Sequence, residues 1–341
     1  MRDLKYIAAY LVPASAMAGL YLQGNWSWFT LALVFGILPV VELFTPQSTQ
    51  NVAESEEADR SKRLLFDVLL YLNAPLLFVI TGWYLWVIAF QSPSLMEIFG
   101  LTLGTGIVVG ANGINVAHEL GHRSQKAEQW LAQLMLLPAL YQHFFVEHNR
   151  GHHKNVATDA DPASAVKGEW VFTFWFRSIS GGWVNAWRLE QERLEKTGKK
   201  VVSGENAMIR YTLFQTIWLA GIFFLMDWKG LIGAMAIALI GVLLLETVNY
   251  IEHYGLRRTT LASGRPEPVS PQHSWNSDHE LGRIFLYELT RHSDHHYKAT
   301  RKYQILRHMD ESPQLPFGYP TSIVLSLLPP LWFRVMDKKL V

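Results

Sequence analysis

The sequence predicts an all-α integral membrane protein: six transmembrane helices with a cytoplasmic helical cap that carries a histidine-rich two-metal site. Three observations predict it. Half of the 341 residues are hydrophobic and only 17% are charged, a balance unlike that of a soluble domain. The apolar residues gather into six blocks, each long enough for a hydrocarbon layer of about 30 Å, which takes roughly 20 helical residues. Nine of the thirteen histidines gather too, as His118 and His122, as His148, His152 and His153, as His292, His295 and His296, and as His253 at the end of the last block.

The blocks fall at about 4–22, 26–44, 64–90, 95–117, 210–227 and 229–250, and residues 1–341 read as a single membrane-embedded domain. The first block lacks the small-residue cleavage site of a signal peptide and runs almost directly into the second, so it is expected to persist as a helix. Tight connections at 23–25, 91–94 and 228–229 put three hairpin tips on one side and the polar segments 45–63, 118–209 and 251–341 on the other. Of 30 Lys and Arg residues only Lys229 lies at a tip, and the positive-inside rule makes the opposite side cytoplasmic. Both termini and the clustered histidines then face the cytoplasm, in a bacterial-type inner membrane or an organelle membrane of the same orientation.

Within this frame, 45–63 reads as a solvated link of mixed charge. The fourth block carries Gly100, Gly104, Gly106, Gly110 and Gly113, spacings that favour close helix packing and, as the second reading, room for a long apolar substrate. Trp26, Trp28, Trp83 and Trp86 read as anchors at bilayer level. Asp67 and Glu97 are the obvious charges inside the spans. TSIVLSLLPPLWF, near the C-terminus, is too short to cross and is expected to be re-entrant or interfacial.

There is no cysteine. That excludes disulfides, thiolate catalysis, iron–sulfur clusters and Cys-ligated zinc within the chain, so a metal must be held by His, Asp, Glu or backbone oxygen. Any electrons the chemistry needs come from another protein. A net charge of +1 without a basic, aromatic-studded stripe gives no indication of nucleic-acid binding.

Neutral imidazole is a ligand for zinc, copper, iron and nickel. His118-Glu119-Leu120-Gly121-His122 follows the fourth block and spells H-E-x-x-H, which in zinc peptidases supplies two ligands and a glutamate base; that reading leaves seven clustered histidines unexplained. On an α-helix His148 and His152 align while His153 is turned by about 100°, toward a second metal. His292, His295 and His296 fall within an arc of about 100° on one face. Nine imidazoles exceed the four ligands of one tetrahedral zinc, so two metals are expected. The ferritin-like architecture needs two E-x-x-H repeats, and only Glu119 to His122 fits. A metal transporter would need polar groups lined up across the bilayer, whereas these histidines sit at one end.

Metal-bound histidines usually donate their other nitrogen to a carboxylate or carbonyl. Glu119, Glu147, Glu252, Asp278 and Asp294 are candidates for that support, and each reads equally well as a solvated or capping residue. His143 and His273 are candidate supporting groups, while His279 and His308 read as surface residues.

The motifs HELGH, EHNRGHH, NYIEHYG and RHSDHH closely resemble those of the membrane-bound alkane 1-monooxygenases, within the integral-membrane fatty acid desaturase and hydroxylase superfamily. The resemblance extends through GYPTSIVLSLLPPLWFRVMD, and NYIEHYG points to the hydroxylase branch. It implies a non-haem di-iron enzyme that uses O2 to hydroxylate the terminal methyl of medium-to-long-chain n-alkanes. Its iron ligands would be His118, His122, His148, His152, His153, His253, His292, His295 and His296. It also implies electrons from rubredoxin, itself reduced by rubredoxin reductase; with no cysteine here, the rubredoxin is expected to be a separate chain. Hydroxylation or desaturation of alkylaromatic or fatty-acyl substrates is the nearest alternative. Arg193, Lys196, Lys199, Lys200, Arg257, Arg258, Arg301 and Lys302 could dock an acidic carrier, although anionic lipid is the favoured partner for such residues.

Overall fold

A computed structural model describes residues 2–340, and among them the architecture is all-helical, with isolated β-bridges and no strand. A 3-10 stretch, Arg2–Tyr10, leads into α1 (Leu11–Leu22). The chain reverses at Gln23 and Gly24, both with φ of 52°, into α2 (Gly24–Glu42). Two longer helices follow, α3 (Leu64–Phe90) and α4 (Leu95–Gly121). Ser94 and Glu97 form a reciprocal capping box at the start of α4. Glu97 also accepts from the Gly24 N–H at 2.8 Å, so the first two hairpin tips touch. A charge counted inside a span is therefore a helix cap that ties two tips together.

Beyond α4 come α5 (Lys126–Met135), the histidine-bearing turns Phe144–Glu147, His148–His152 and His153–Asn155, then α6 (Val171–Lys196) and α7 (Ala207–His253). A straight helix of 47 residues would rise about 70 Å, more than twice the hydrocarbon thickness. It breaks at Asp227, with φ 58° and ψ −172°, and its two arms correspond to the expected blocks 210–227 and 229–250. Leu213, Ile217, Phe224, Ile232 and Leu239 are exposed along it, an apolar outer surface suited to lipid.

Among the described residues four helices are long and apolar enough to cross a membrane: α2, α3, α4 and the broken α7. The protein is an integral membrane protein. Five of the six expected blocks fall on these four helices, α7 carrying two of them; the first block differs, because Arg2–Tyr10 is a 3-10 stretch and the α-helix covers only Leu11–Leu22.

The second arm of α7 runs parallel to α4. A Cβ on Gly106 would lie 2.5 Å from Ile240 Cβ, and one on Gly110 would lie 2.9 Å from Leu244 Cδ2. Gly241 answers from α7, where a Cβ would lie 2.7 Å from Val109 Cγ1. The packing reading of these glycines therefore holds, and it fixes the site: two helices held at backbone distance emerge side by side, one ending in His118 and the other in His253.

Segment 45–63 is more than a solvated link. Its Ser48 and Gln50 carbonyls accept from Arg291 at 3.3 and 2.9 Å. The helix Glu54–Arg60 within it joins the C-terminal half through Glu57 and Arg301, 2.8 Å apart. The remaining labelled helices are α8 (His292–Tyr297), α9 (Tyr319–Ser326) and α10 (Pro329–Met336). The short C-terminal apolar run becomes α9 and α10, and the fully buried Trp332 packs on Tyr250 and Tyr254 with centroids 5.6 and 5.5 Å away.

The glycine contact has a measurable consequence. Gly106→Val drives two methyls into Ile240 and is expected to cost about 1–3 kcal/mol. Gly36→Ala, with nothing within 4 Å of its Cβ, is expected to be neutral or stabilising. Thermal unfolding in detergent decides; equal melting of Gly106→Val and wild type contradicts the contact.

Candidate metal centre

All nine clustered histidines converge, in two groups. His118, His122, His148, His153 and His295 form one, and His152, His253, His292 and His296 the other; within each, the candidate ligand atoms lie within 4.8 Å of one another. The backbone explains the partition, which differs from the sequence expectation. Residues His148–His152 form a π turn, whose i to i+5 spacing replaces the α-helical one. His153 thereby meets His148 edge to face, Nε2 to Nε2 at 3.0 Å, and His152 is the ring turned to the second group. The third cluster is divided as well: His292 and His296, one turn apart, meet at 2.9 Å, while His295 faces His118 at 2.9 Å.

The remaining contacts are uniform. In the first group His148 meets His122 at 3.1 Å and His295 meets His153 at 3.1 Å; in the second, His152 meets His296 at 3.2 Å and His292 meets His253 at 3.2 Å. All are Nε2 to Nε2. Two nitrogens each bound at about 2.1 Å to one metal ion, at right angles, lie about 3.0 Å apart. A proton satisfies one such contact, whereas a cation among the nitrogens satisfies all of them, so the donor set fits a metal in each group. The groups adjoin, with the His153 and His296 rings 4.5 Å apart.

Electrostatics favour ligation, since metals bind the neutral ring. Burial pushes His122 down to about 3. Burial, then neighbouring rings, holds His148, His153, His292, His295 and His296 well below the ordinary histidine value. His152 is the exception: burial lowers it, but the carboxylates of Asp161, Glu147 and Glu252 together raise it above the ordinary histidine value. Its Nδ1 lies 2.9 Å from Asp161 Oδ2, leaving Nε2 toward the second group. Asp161 is fixed in turn by the Ala163 N–H at 3.1 Å and the Ser164 hydroxyl at 2.5 Å.

Asp161 was not among the sequence candidates, and its only signal was position, nine residues past His152 and before a proline. The nominated groups have other work. Glu119 pairs with Arg123 at 2.8 Å and accepts the Tyr303 N–H at 3.1 Å, which ties up the glutamate that a zinc peptidase needs free. Asp278 holds His308 at 2.8 Å, so that ring is not a bare surface residue. Asp294 accepts from Arg307 at 2.8 Å. Glu147 accepts from Asn185 at 3.0 Å, and burial followed by the Asp161 charge raises it to about 7. His273 lies 3.3 Å from Glu267. His143 packs on the Tyr141 ring at 4.3 Å, pushed down to about 4 by burial. Glu252 alone of these reaches a clustered Nε2, that of His292 at 3.2 Å, while accepting from Tyr319 at 2.7 Å.

A cavity of about 90 Å³ reaches the cluster from the membrane region, with His118, His148 and His292 in its wall and Val34, Leu38 and Leu245 among its apolar lining. The charge count of the spans passed over two buried carboxyls, Glu42 and Glu246. Glu246 accepts from Tyr141 at 2.8 Å and Ser178 at 2.5 Å; Glu42 lines the cavity. The basic residues nominated for docking are largely engaged: Arg193 with Glu190 at 2.9 Å, Lys199 with Glu205, Arg257 with Asp159 at 3.8 Å, Arg258 with the Glu267 carbonyl at 2.7 Å, Arg301 with Glu57 at 2.8 Å and Lys302 with Asp67 at 3.2 Å.

Residues 92–324 match the family model described as fatty acid desaturase. The chain is 40% identical over 316 residues to alkane 1-monooxygenase 2 of Pseudomonas aeruginosa, covering 92% of this chain and 84% of the relative. It is 37% identical over 347 residues to alkane 1-monooxygenase 2 of Alcanivorax borkumensis, covering 99% and 91%. A more distant relative, 26% identical over 99% of this chain and 89% of its own length, is the hydroxylase component of the xylene/toluene monooxygenase of Pseudomonas putida. The chain therefore belongs to the fatty acid desaturase family and, within it, to the alkane 1-monooxygenases.

Metal content tests the partition. His253→Ala removes one nitrogen from the four-ring group and is expected to lower the metal retained after purification. Asp161→Asn is expected to weaken metal affinity about 10–100-fold, as loss of a supporting partner does, whereas His308→Ala retains wild-type content. Mass-spectrometric metal analysis reads all three; full retention in His253→Ala removes that ring from the set.

Proposed function

We propose that this chain hydroxylates medium-to-long-chain n-alkanes to 1-alkanols with O2, at a nine-histidine site that holds two iron ions. The observation that carries the proposal is the junction of an apolar cavity with the imidazole cluster. His118, His122, His148, His153 and His295 would hold one iron, and His152, His253, His292 and His296 the other. Bound iron supplies the redox chemistry: one oxygen atom ends in the alcohol, the other in water, and two electrons and two protons are consumed.

The protein's share is placement and exclusion. An n-alkane has no polar atom, so it dissolves in the bilayer and is guided by shape and apolar contact. The lining of Val34, Leu38 and Leu245 delivers one end of the chain to His118, His148 and His292 and keeps water away from the reacting carbon. Identities of 40% and 37% to alkane 1-monooxygenases, against 26% to the xylene/toluene relative, support n-alkanes over the alkylaromatic substrates that the distant relative's name indicates. The orientation follows from the charge distribution along the sequence: six crossings in a bacterial-type inner membrane, with the histidines and both termini at the cytoplasmic face. The electron donor is a rubredoxin with its reductase, since these 341 residues hold no cysteine with which to bind an iron–sulfur group of their own.

Membranes containing the protein, supplied with rubredoxin, rubredoxin reductase, NADH and an n-alkane series under 18O2, are expected to yield 1-alkanols that carry one labelled oxygen. An alkene product, ring or benzylic hydroxylation in preference to alkanes, or no O2-derived oxygen in the product contradicts the proposal.

A further inference from the structure

Glu42 ends α2 and is 2% exposed. Among the described residues neither of its carboxyl oxygens completes a hydrogen bond, and the Gly282 backbone beside it makes at most a weak contact. The surroundings are shaped to admit it. A Cβ on Gly318 would lie 1.9 Å from Glu42 Oε2, and one on Gly282 would lie 3.3 Å from Oε1. Two glycines thus leave space for a carboxyl in a wall whose neighbouring side chains include Leu38, Leu281 and Phe285.

An unpaired carboxyl in such a lining is costly, and the polar groups of a folded interior are otherwise satisfied. The same cavity carries His118, His148 and His292 in its wall. An alkane brings no hydrogen-bonding atom into that space. A primary alcohol does, because its hydroxyl both donates and accepts.

We infer that Glu42 recognises the hydroxyl of the primary alcohol after it leaves the histidine cluster, giving the cavity an affinity for product that it lacks for alkane. The inference rests on the hydroxylase reading. It makes Glu42 a recognition residue for the product and a determinant of how strongly 1-alkanols inhibit turnover.

Infrared difference spectra of the full-length protein in lipid nanodiscs test it directly, with 1-dodecanol and dodecane as the two probes. Addition of 1-dodecanol is expected to shift a carboxyl band that is missing from Glu42→Gln, and dodecane is expected to leave that band in place. In turnover, Glu42→Leu is expected to raise the ratio of the 1-dodecanol inhibition constant to the dodecane KM about tenfold, the factor one hydrogen bond to such a group contributes. Glu42→Gln falls between the two. A carboxyl band in the wild type that ignores 1-dodecanol overturns the inference even if Glu42→Leu fails to fold, and so does one ratio shared by all three proteins. Wild-type protein that makes 1-alkanol while its carboxyl band stays silent sinks the Glu42 assignment alone; failure to make 1-alkanol from alkane sinks the hydroxylase reading.

Discussion

Nine imidazole rings, buried or half-buried, turn their Nε2 atoms toward one another in two groups. This arrangement is unfavourable for a protein by itself. Lone pairs at about 3 Å repel unless a proton or a cation lies between them, and burial has already driven most of these rings to the neutral form. A divalent ion in each group would turn the liability into ligation, and metal binding of this kind adds directly to the stability of the folded state. The rest of the molecule can be understood as the frame that holds these rings in place.

Much of that frame is backbone packed against backbone. α4 and the second arm of α7 approach closely because Gly106, Gly110 and Gly241 carry no side chain at their contact. Their ends deliver His118 and His253 to a common level. The region around the histidines is pinned by buried ions: Arg123 sits against Glu119 and Asp67 at 2.8 and 3.1 Å, and Arg283 against Glu288 at 2.6 Å. Breaking one member of such a pair leaves an uncompensated buried charge. The histidine-bearing segments are short, α8 having six residues, so they depend on these anchors more than on their own helical propensity. The apolar cavity beneath reaches the rings from the membrane region.

The sequence made the histidine set, the all-helical class and the apolar helices legible, because each leaves a pattern in composition or spacing. It did not reveal how the rings divide. Helical arithmetic grouped His148 with His152, but an extra residue in the turn gives a π geometry, and that bulge carries no distinctive residue signature. The supporting carboxylates were the weakest part of the reading. Glu119 and Asp294, adjacent to histidines in sequence, turn to arginines in space, while Asp161, outside every motif, reaches His152. Proximity along the chain is a poor guide where loops fold back onto a helix end. Glu42 was overlooked for a related reason: at the end of an apolar block it reads as an ordinary boundary residue, and only the glycines at 282 and 318, far away in sequence, show that it faces inward.

Iron K-edge X-ray absorption on the purified, metal-loaded protein, combined with the metal count of the same sample, reads the ligand set of both groups at once. The account predicts two irons per chain, with first-shell scattering from nitrogen and oxygen and the multiple scattering of four to five imidazoles per iron. A single zinc, or irons whose spectra show one or two imidazoles and a predominance of carboxylate oxygen, would contradict it.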